Sequence, residues 1–149
     1  MKTVIVGGME NSGTKMLFRL LNQHHEISAS HTSMPGAWMP DTYMPNLDDC
    51  DKVAWMIRYE PFRLDGVLRR GYDRERPPHF VSPGLYDTCK KAYKHIIPKT
   101  IFVPYEGIIG PFREFILQTI VAFIGVGNYD FDFSEVRDEN LKYLTHSDM

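Results

Sequence analysis

An α/β fold, three-layered around a mostly parallel sheet, is what this chain of 149 residues predicts, on three observations. Apolar, β-branched runs at residues 3–6, 52–58 and 100–104 alternate with stretches that carry apolar residues at helical spacing, and strands separated by helices pair in parallel. The first unit joins the run Val4-Ile5-Val6 to Gly7-Gly8, then to Met16, Leu17, Leu20 and Leu21 beyond Gly13, which reads as a buried strand, a glycine-rich turn and a helix start. The composition, 43% hydrophobic and 24% charged, is that of an ordinary globular domain.

The elements follow in order. After the strand at 3–6, helical spacing runs over 13–23, a short strand near 27–30 follows, and a loop extends through 50. Strand 52–58 leads to a helical region near 62–71. A helix over 83–96 starts well, with Ser82 as N-cap and Pro83 at its first position, and Pro98 stops it. Its inward stripe is Leu85, Cys89, Ala92, Tyr93 and Ile96. Strand 100–104 precedes a helix over 111–124 whose expected core face is Phe112, Phe115, Ile116, Thr119, Ile120, Phe123 and Ile124, with Gly125 as its C-terminal cap. A tail closes the chain. The proline-punctuated stretches 31–50 and 71–82 read as loops, and open α/β sheets bind ligands under such loops at the carboxyl ends of strands.

Length fits one domain over 1–149, large enough to bury about 68–70% of its unfolded surface without a metal or disulfide staple. A formal charge of −2 argues against a nonspecific grip on nucleic acid, so any anion site is local. Cys50 and Cys89 lack metal-type spacing and fit free thiols in a reducing compartment, although a single bridge stays open. No secretory signal is visible, and the apolar stretch 115–126 contains Gln118 and is shorter than the roughly 20 residues a spanning helix needs. These features predict a soluble, cytoplasmic protein without a membrane partner, its oligomeric state left open.

The glycine turn, P-loop-like in outline, aims backbone N–H groups and a helix N-terminus at one point, which is how a chain cradles phosphate. Gly8 and Gly13 have the spacing of G-x-x-x-x-G-K-[ST], but the order that follows is Thr14-Lys15. One position on a helix turns the lysine by about 100°, away from a β/γ-phosphate. An ATP-dependent kinase is therefore disfavoured, the more so because no Asp suited to Mg²⁺ closes a strand.

Asn11-Ser12-Gly13-Thr14 after the first strand resembles the K-S-G-T-[ST] loop of sulfotransferases. The resemblance continues in order: Arg58 and Pro61 close the second long strand as the family's Arg-Asp-Pro does, Tyr105-Glu106 follows the strand at 100–104, and Phe123-Ile124-Gly125 and Glu139-Asn140-Leu141-Lys142-Tyr143 complete it. It implies a sulfate donor, 3′-phosphoadenosine 5′-phosphosulfate, with Asn11, Ser12, Gly13, Thr14 and Lys15 around the 5′-phosphate and Arg58 on the 3′-phosphate. The family's lysine is Asn11 here, so Lys15 or another cation would have to assist the departing phosphate. The serine that the family places about two turns after the arginine is missing around Gly66 and Val67, where Arg69 and Arg70 are the nearby polar groups. His31 stands where the family keeps its base, and imidazole suits proton abstraction near neutrality.

The implied reaction is sulfuryl transfer to a hydroxyl or amine on a small molecule or carbohydrate, without a metal. A protein that kept the fold for nucleotide binding or interaction and lost catalysis is the rival that Asn11 and the missing serine motivate. Of the other ionisable residues, His24 and His25 follow the first helix and fit its C-terminal dipole, His79, His95 and His146 show no ligand spacing, and Asp48, Asp49 and Asp51 read as a solvated loop. Glu106 is expected to be a structural hydrogen-bonding residue at the floor of the site.

Overall fold

The structure, a computed structural model, describes residues 1–8, 13–32, 46–58, 94–134 and 136. Strand β1 (Lys2–Gly8), helix α1 (Thr14–Leu21), β2 (Ile27–His31), β3 (Lys52–Ile57), a 3₁₀ turn (Lys94–Lys99), β4 (Thr100–Pro104), α2 (Tyr105–Ile109) and α3 (Arg113–Ile124) succeed one another. The four strands form one sheet in the order β2-β1-β3-β4, every pair parallel. The expected helix near 62–71, most of that at 83–96, residues 9–12 and the tail from 137 lie outside the described residues.

Strand periodicity divides the sheet into two faces. Val4 and Val6 of β1, Ile27 of β2, Ala54 and Met56 of β3 and Val103 of β4 point to one face, where Leu17, Leu20 and Leu21 of α1 and Leu117, Ile120, Val121 and Ile124 of α3 cover them. Ile5, Val53 and Trp55 point to the other, against Leu47 and Ile96. Handedness explains the division. The step from β1 to β2 runs one way along the sheet with α1 on the first face; the steps to β3 and then β4 run the other way, and a right-handed crossover then belongs on the opposite face. Leu47 and Ile96, from those two connections, pack there.

Three expectations need correction. Helix α1 ends at Leu21 rather than 23, because the side chains of Asn22 and Gln23 are drawn into backbone bonds elsewhere. Asn22 accepts the Ala29 N–H at 2.7 Å and donates to its carbonyl at 2.9 Å, while Gln23 does the same for Asp132 at 2.7 and 2.9 Å. Residues 94–99 form a 3₁₀ turn containing Pro98, not the end of an α-helix. Helix α3 starts at Arg113 and buries Leu117 and Val121 in place of Phe112 and Phe115, which are 71% and 73% exposed. Because REFILQTIVAFI is apolar nearly all round, its periodicity leaves the buried stripe open and packing decides it.

The aspartates before β3 are structural. Asp48 lies 2.6 Å from His95, Asn46 donates to Asp49, and Lys99 donates to the carbonyls of Asp48 and Cys50. Asp51 accepts from both the N–H and the hydroxyl of Thr3, at 2.8 and 3.0 Å, and these bonds hold its carboxyl below the ordinary aspartate range. A depressed carboxylate contributes stability that is present above its unfolded pKa, about 3.9, and lost as pH falls through its folded value. Asp51→Asn is expected to flatten the acid limb of an unfolding-midpoint profile below about pH 4. Superimposable wild-type and variant profiles there would show that the Thr3 bonds carry no pH-linked stability.

Candidate functional site

The order β2-β1-β3-β4 contains a reversal: the chain leaves β1 toward β2 and returns to its other side for β3. Connections depart in opposite directions there, and the carboxyl ends of the strands at such a reversal are the place where open parallel sheets hold ligands. Gly8, at the end of β1, is in register with Met56, and Arg58 follows the end of β3. Gly8 and Arg58 thus stand at the carboxyl ends of the two strands on either side of the reversal.

Parity orients what surrounds it. His31 is in phase with Ile27 and Ala29, Arg58 with Ala54 and Met56, and Tyr105 with Ile101 and Val103, so all three belong to the face that carries α1. Arg58 is 5% exposed, and its guanidinium carbon lies 4.3 Å from the centroid of the Tyr105 ring, itself 2% exposed. A planar cation over an aromatic face is held in orientation as well as in place.

Tyr105 also touches the turn. Gly13 caps α1 in the left-handed region, φ 91°, and a Cβ there would fall 2.5 Å from Tyr105 Cδ2. Both the conformation and the space demand glycine. Gly13, Tyr105 and Arg58 form a stack that fixes the start of α1 against the end of β3. The Leu17 N–H donates to the Gly13 carbonyl at 3.2 Å, so the preceding amides of the first turn have no acceptor within the helix. No acidic residue occupies α1, and Thr14 is buried at its start. Behind the turn Gly7 meets the Trp55 ring, 2.9 Å from where a Cβ would lie.

On the other side of β1, His31 ends β2 with its ring stacked on Phe18 of α1, centroids 4.6 Å apart and planes 27° from parallel. Desolvation, followed by the charges of Lys15 and Arg19, lowers its pKa below the ordinary histidine value. The imidazole is therefore neutral at pH 7 and able to accept a proton. Lys15, one residue into α1, is exposed.

Of the expected site residues, Gly13, Thr14, Lys15, His31 and Arg58 gather at the carboxyl end of the sheet on one face, while Asn11 and Ser12 lie outside the described residues. Glu106, expected at the site floor, is half-buried in the first turn of α2. The sequence reading missed Tyr105 as the ring between glycine and arginine, and Phe18 as the support of His31; the alternation that puts Tyr105 in phase with Val103 was the available signal. His24 corrects another expectation. Its Nδ1 accepts the Glu26 N–H at 3.1 Å and its Nε2 bonds the Gly127 carbonyl at 2.8 Å, so the buried ring ties α1 to the segment after α3 instead of serving the helix dipole.

Among the described residues no three His, Cys, Asp or Glu side chains gather as a metal site, and no helix is long and apolar enough to cross a membrane. The chain matches no protein-family model, no curated protein and no solved structure.

Proposed function

We propose that this protein binds an adenosine nucleotide carrying 3′- and 5′-phosphates at the carboxyl ends of β1 and β3 and, with 3′-phosphoadenosine 5′-phosphosulfate as donor, transfers sulfate to a hydroxyl or amine of a small molecule or carbohydrate. The observation that carries this reading is the buried Arg58 guanidinium, stacked on Tyr105 beside the Gly13 turn. A guanidinium held in one plane suits a phosphate monoester, to which it offers paired charge-assisted bonds. The open amides at the start of α1 suit a second phosphate. Two phosphate-binding groups at the same end of the sheet fit the donor's two phosphates.

When bound, the donor supplies an activated sulfuryl group: its sulfur–oxygen bond to the 5′-phosphate breaks as a bond to the acceptor oxygen or nitrogen forms, and adenosine 3′,5′-bisphosphate departs with the electron pair. His31, neutral at pH 7, takes the acceptor's proton. Lys15 and the first-turn amides balance the charge that collects on the 5′-phosphate, and Arg58 orients the nucleotide from its other end.

Thermal unfolding with adenosine 3′,5′-bisphosphate, with ATP plus Mg²⁺, and with neither tests the reading. At about 100 times Kd the bisphosphate adds about 2.7 kcal/mol, or roughly 5–10 °C for a domain of this size. Stabilisation by ATP and Mg²⁺ alone would reject it. Stabilisation by the bisphosphate without passage of labelled sulfate to any acceptor would leave nucleotide binding and remove the transfer.

A further inference from the structure

We propose that the solvent face of α3 is a dimerisation seam, occupied by the same face of a second copy of this chain packed antiparallel about a two-fold axis. The proposal is independent of the nucleotide reading.

Phe112, Phe115, Thr119 and Ala122 are all exposed, and their spacing averages near the 3.5 residues at which two helices pack side by side along their length. This row lies opposite the buried stripe of Leu117, Ile120, Val121 and Ile124. After Met1, Phe115 and Phe112 are the most exposed large apolar side chains among the described residues. A helix apolar on nearly every side is ordinarily covered on every side, and here the sheet covers only one.

The polar groups beside the row are already engaged within the chain. Thr119 donates its hydroxyl to the Phe115 carbonyl at 2.9 Å, Gln118 bonds the backbone of Tyr129 through both ends of its amide, and the Arg113 guanidinium lies 4.6 Å from the Phe133 ring centroid. No charged residue stands between Phe115 and Val126, in a chain that is 24% charged. Covering the row therefore strands no donor or charge away from water. Glu114, in the first turn, stays at the rim. A lipid surface fits less well, because helices that lie on membranes set several lysines or arginines beside their apolar face, and α3 has Arg113 alone.

Size selects the second copy. Two rings occupy the amino end of the row and Thr119 and Ala122 its carboxyl end, so antiparallel pairing sets Phe112 over the partner's Ala122 and Phe115 over the partner's Thr119, twice. Parallel pairing would set ring against ring and leave a void at the other end. The rings, 71% and 73% exposed, offer roughly 220–360 Å² per copy for side chains of about 150–250 Å² each, against roughly 500 Å² per partner at the lower limit of a specific interface. Thr119, Ala122 and the partly exposed Ile116 and Phe123 add to it, which points to a small, reversible dimer.

Sedimentation equilibrium over about 1–200 µM covers the affinities of an interface near that limit. The mass is expected to rise from 17.3 kDa to twice that value and stop. Phe115→Glu and Ala122→Glu should each hold the monomer mass at every concentration while keeping the urea midpoint of the dilute protein, since both side chains lie outside the core. Register is read by mixing and oxidising Phe112→Cys and Ala122→Cys proteins that also carry Cys50→Ser and Cys89→Ser. The mixed disulfide dimer should exceed the half that random pairing gives. A monomer mass throughout, growth past the dimer, undiminished association of either glutamate variant, or a mixed dimer at half or less would each overturn the proposal.

Discussion

Gly13→Ala is expected to destabilise the protein by about 2–5 kcal/mol, measured by urea unfolding, and to remove bisphosphate-induced stabilisation. Two costs combine. An L-residue at φ 91° adopts the left-handed region, at about 1–2 kcal/mol. The new methyl also enters the space of the Tyr105 ring, 2.5 Å from Cδ2, and overpacking a closed site costs about 1–3 kcal/mol. Tyr105 cannot yield alone, because its ring also packs against the Arg58 guanidinium, 4.3 Å from the ring centroid. The substitution therefore tests whether turn, ring and cation behave as one unit. Tyr105→Leu in the Gly13→Ala background makes room for the methyl, and partial recovery of stability is the expected sign of that coupling. A Gly13→Ala protein of wild-type stability would mean that the turn does not depend on this stack.

Arg58→Ala is expected to lower affinity for adenosine 3′,5′-bisphosphate about 10- to 150-fold, the equivalent of about 1.5–3 kcal/mol for a hydrogen-bonded charge. Titration calorimetry should show a much smaller loss for adenosine 5′-phosphosulfate, which lacks the 3′-phosphate. Arg58→Lys keeps the charge but loses the planar fork, so it should recover only part of the affinity. Equal losses for the two nucleotides would place Arg58 away from the 3′-phosphate. Unfolding curves taken alongside separate binding from folding, since the guanidinium also covers the Tyr105 ring.

Much of the frame was readable in advance. Val4-Ile5-Val6, the run from Lys52 and the run from Thr100 emerged as strands within a residue or two of expectation, and their spacing by helical stretches led to a parallel sheet, as found. Alternation held a further signal that went unread, since it places Arg58 in phase with Met56 and His31 with Ile27 and thereby on the face of α1. Helix α3 was harder. Apolar residues on nearly every side left several faces equally eligible, and the one chosen exposes Phe112 and Phe115. Helix α2 was not foreseen, because five residues carry too little periodicity to register.

By itself, the sequence determined the α/β class, the glycines that end β1 and precede α1, and the presence of a cation at the end of β3, because those are properties of local runs of residues. Only the tertiary structure decided that β1 and β3 are neighbours, that Tyr105 reaches back from beyond β4 to close on Gly13, and that His31 comes to rest on Phe18. The physical reason is that these contacts join segments far apart in sequence, and sheet order and side-chain packing, which no local pattern encodes, set which of them meet.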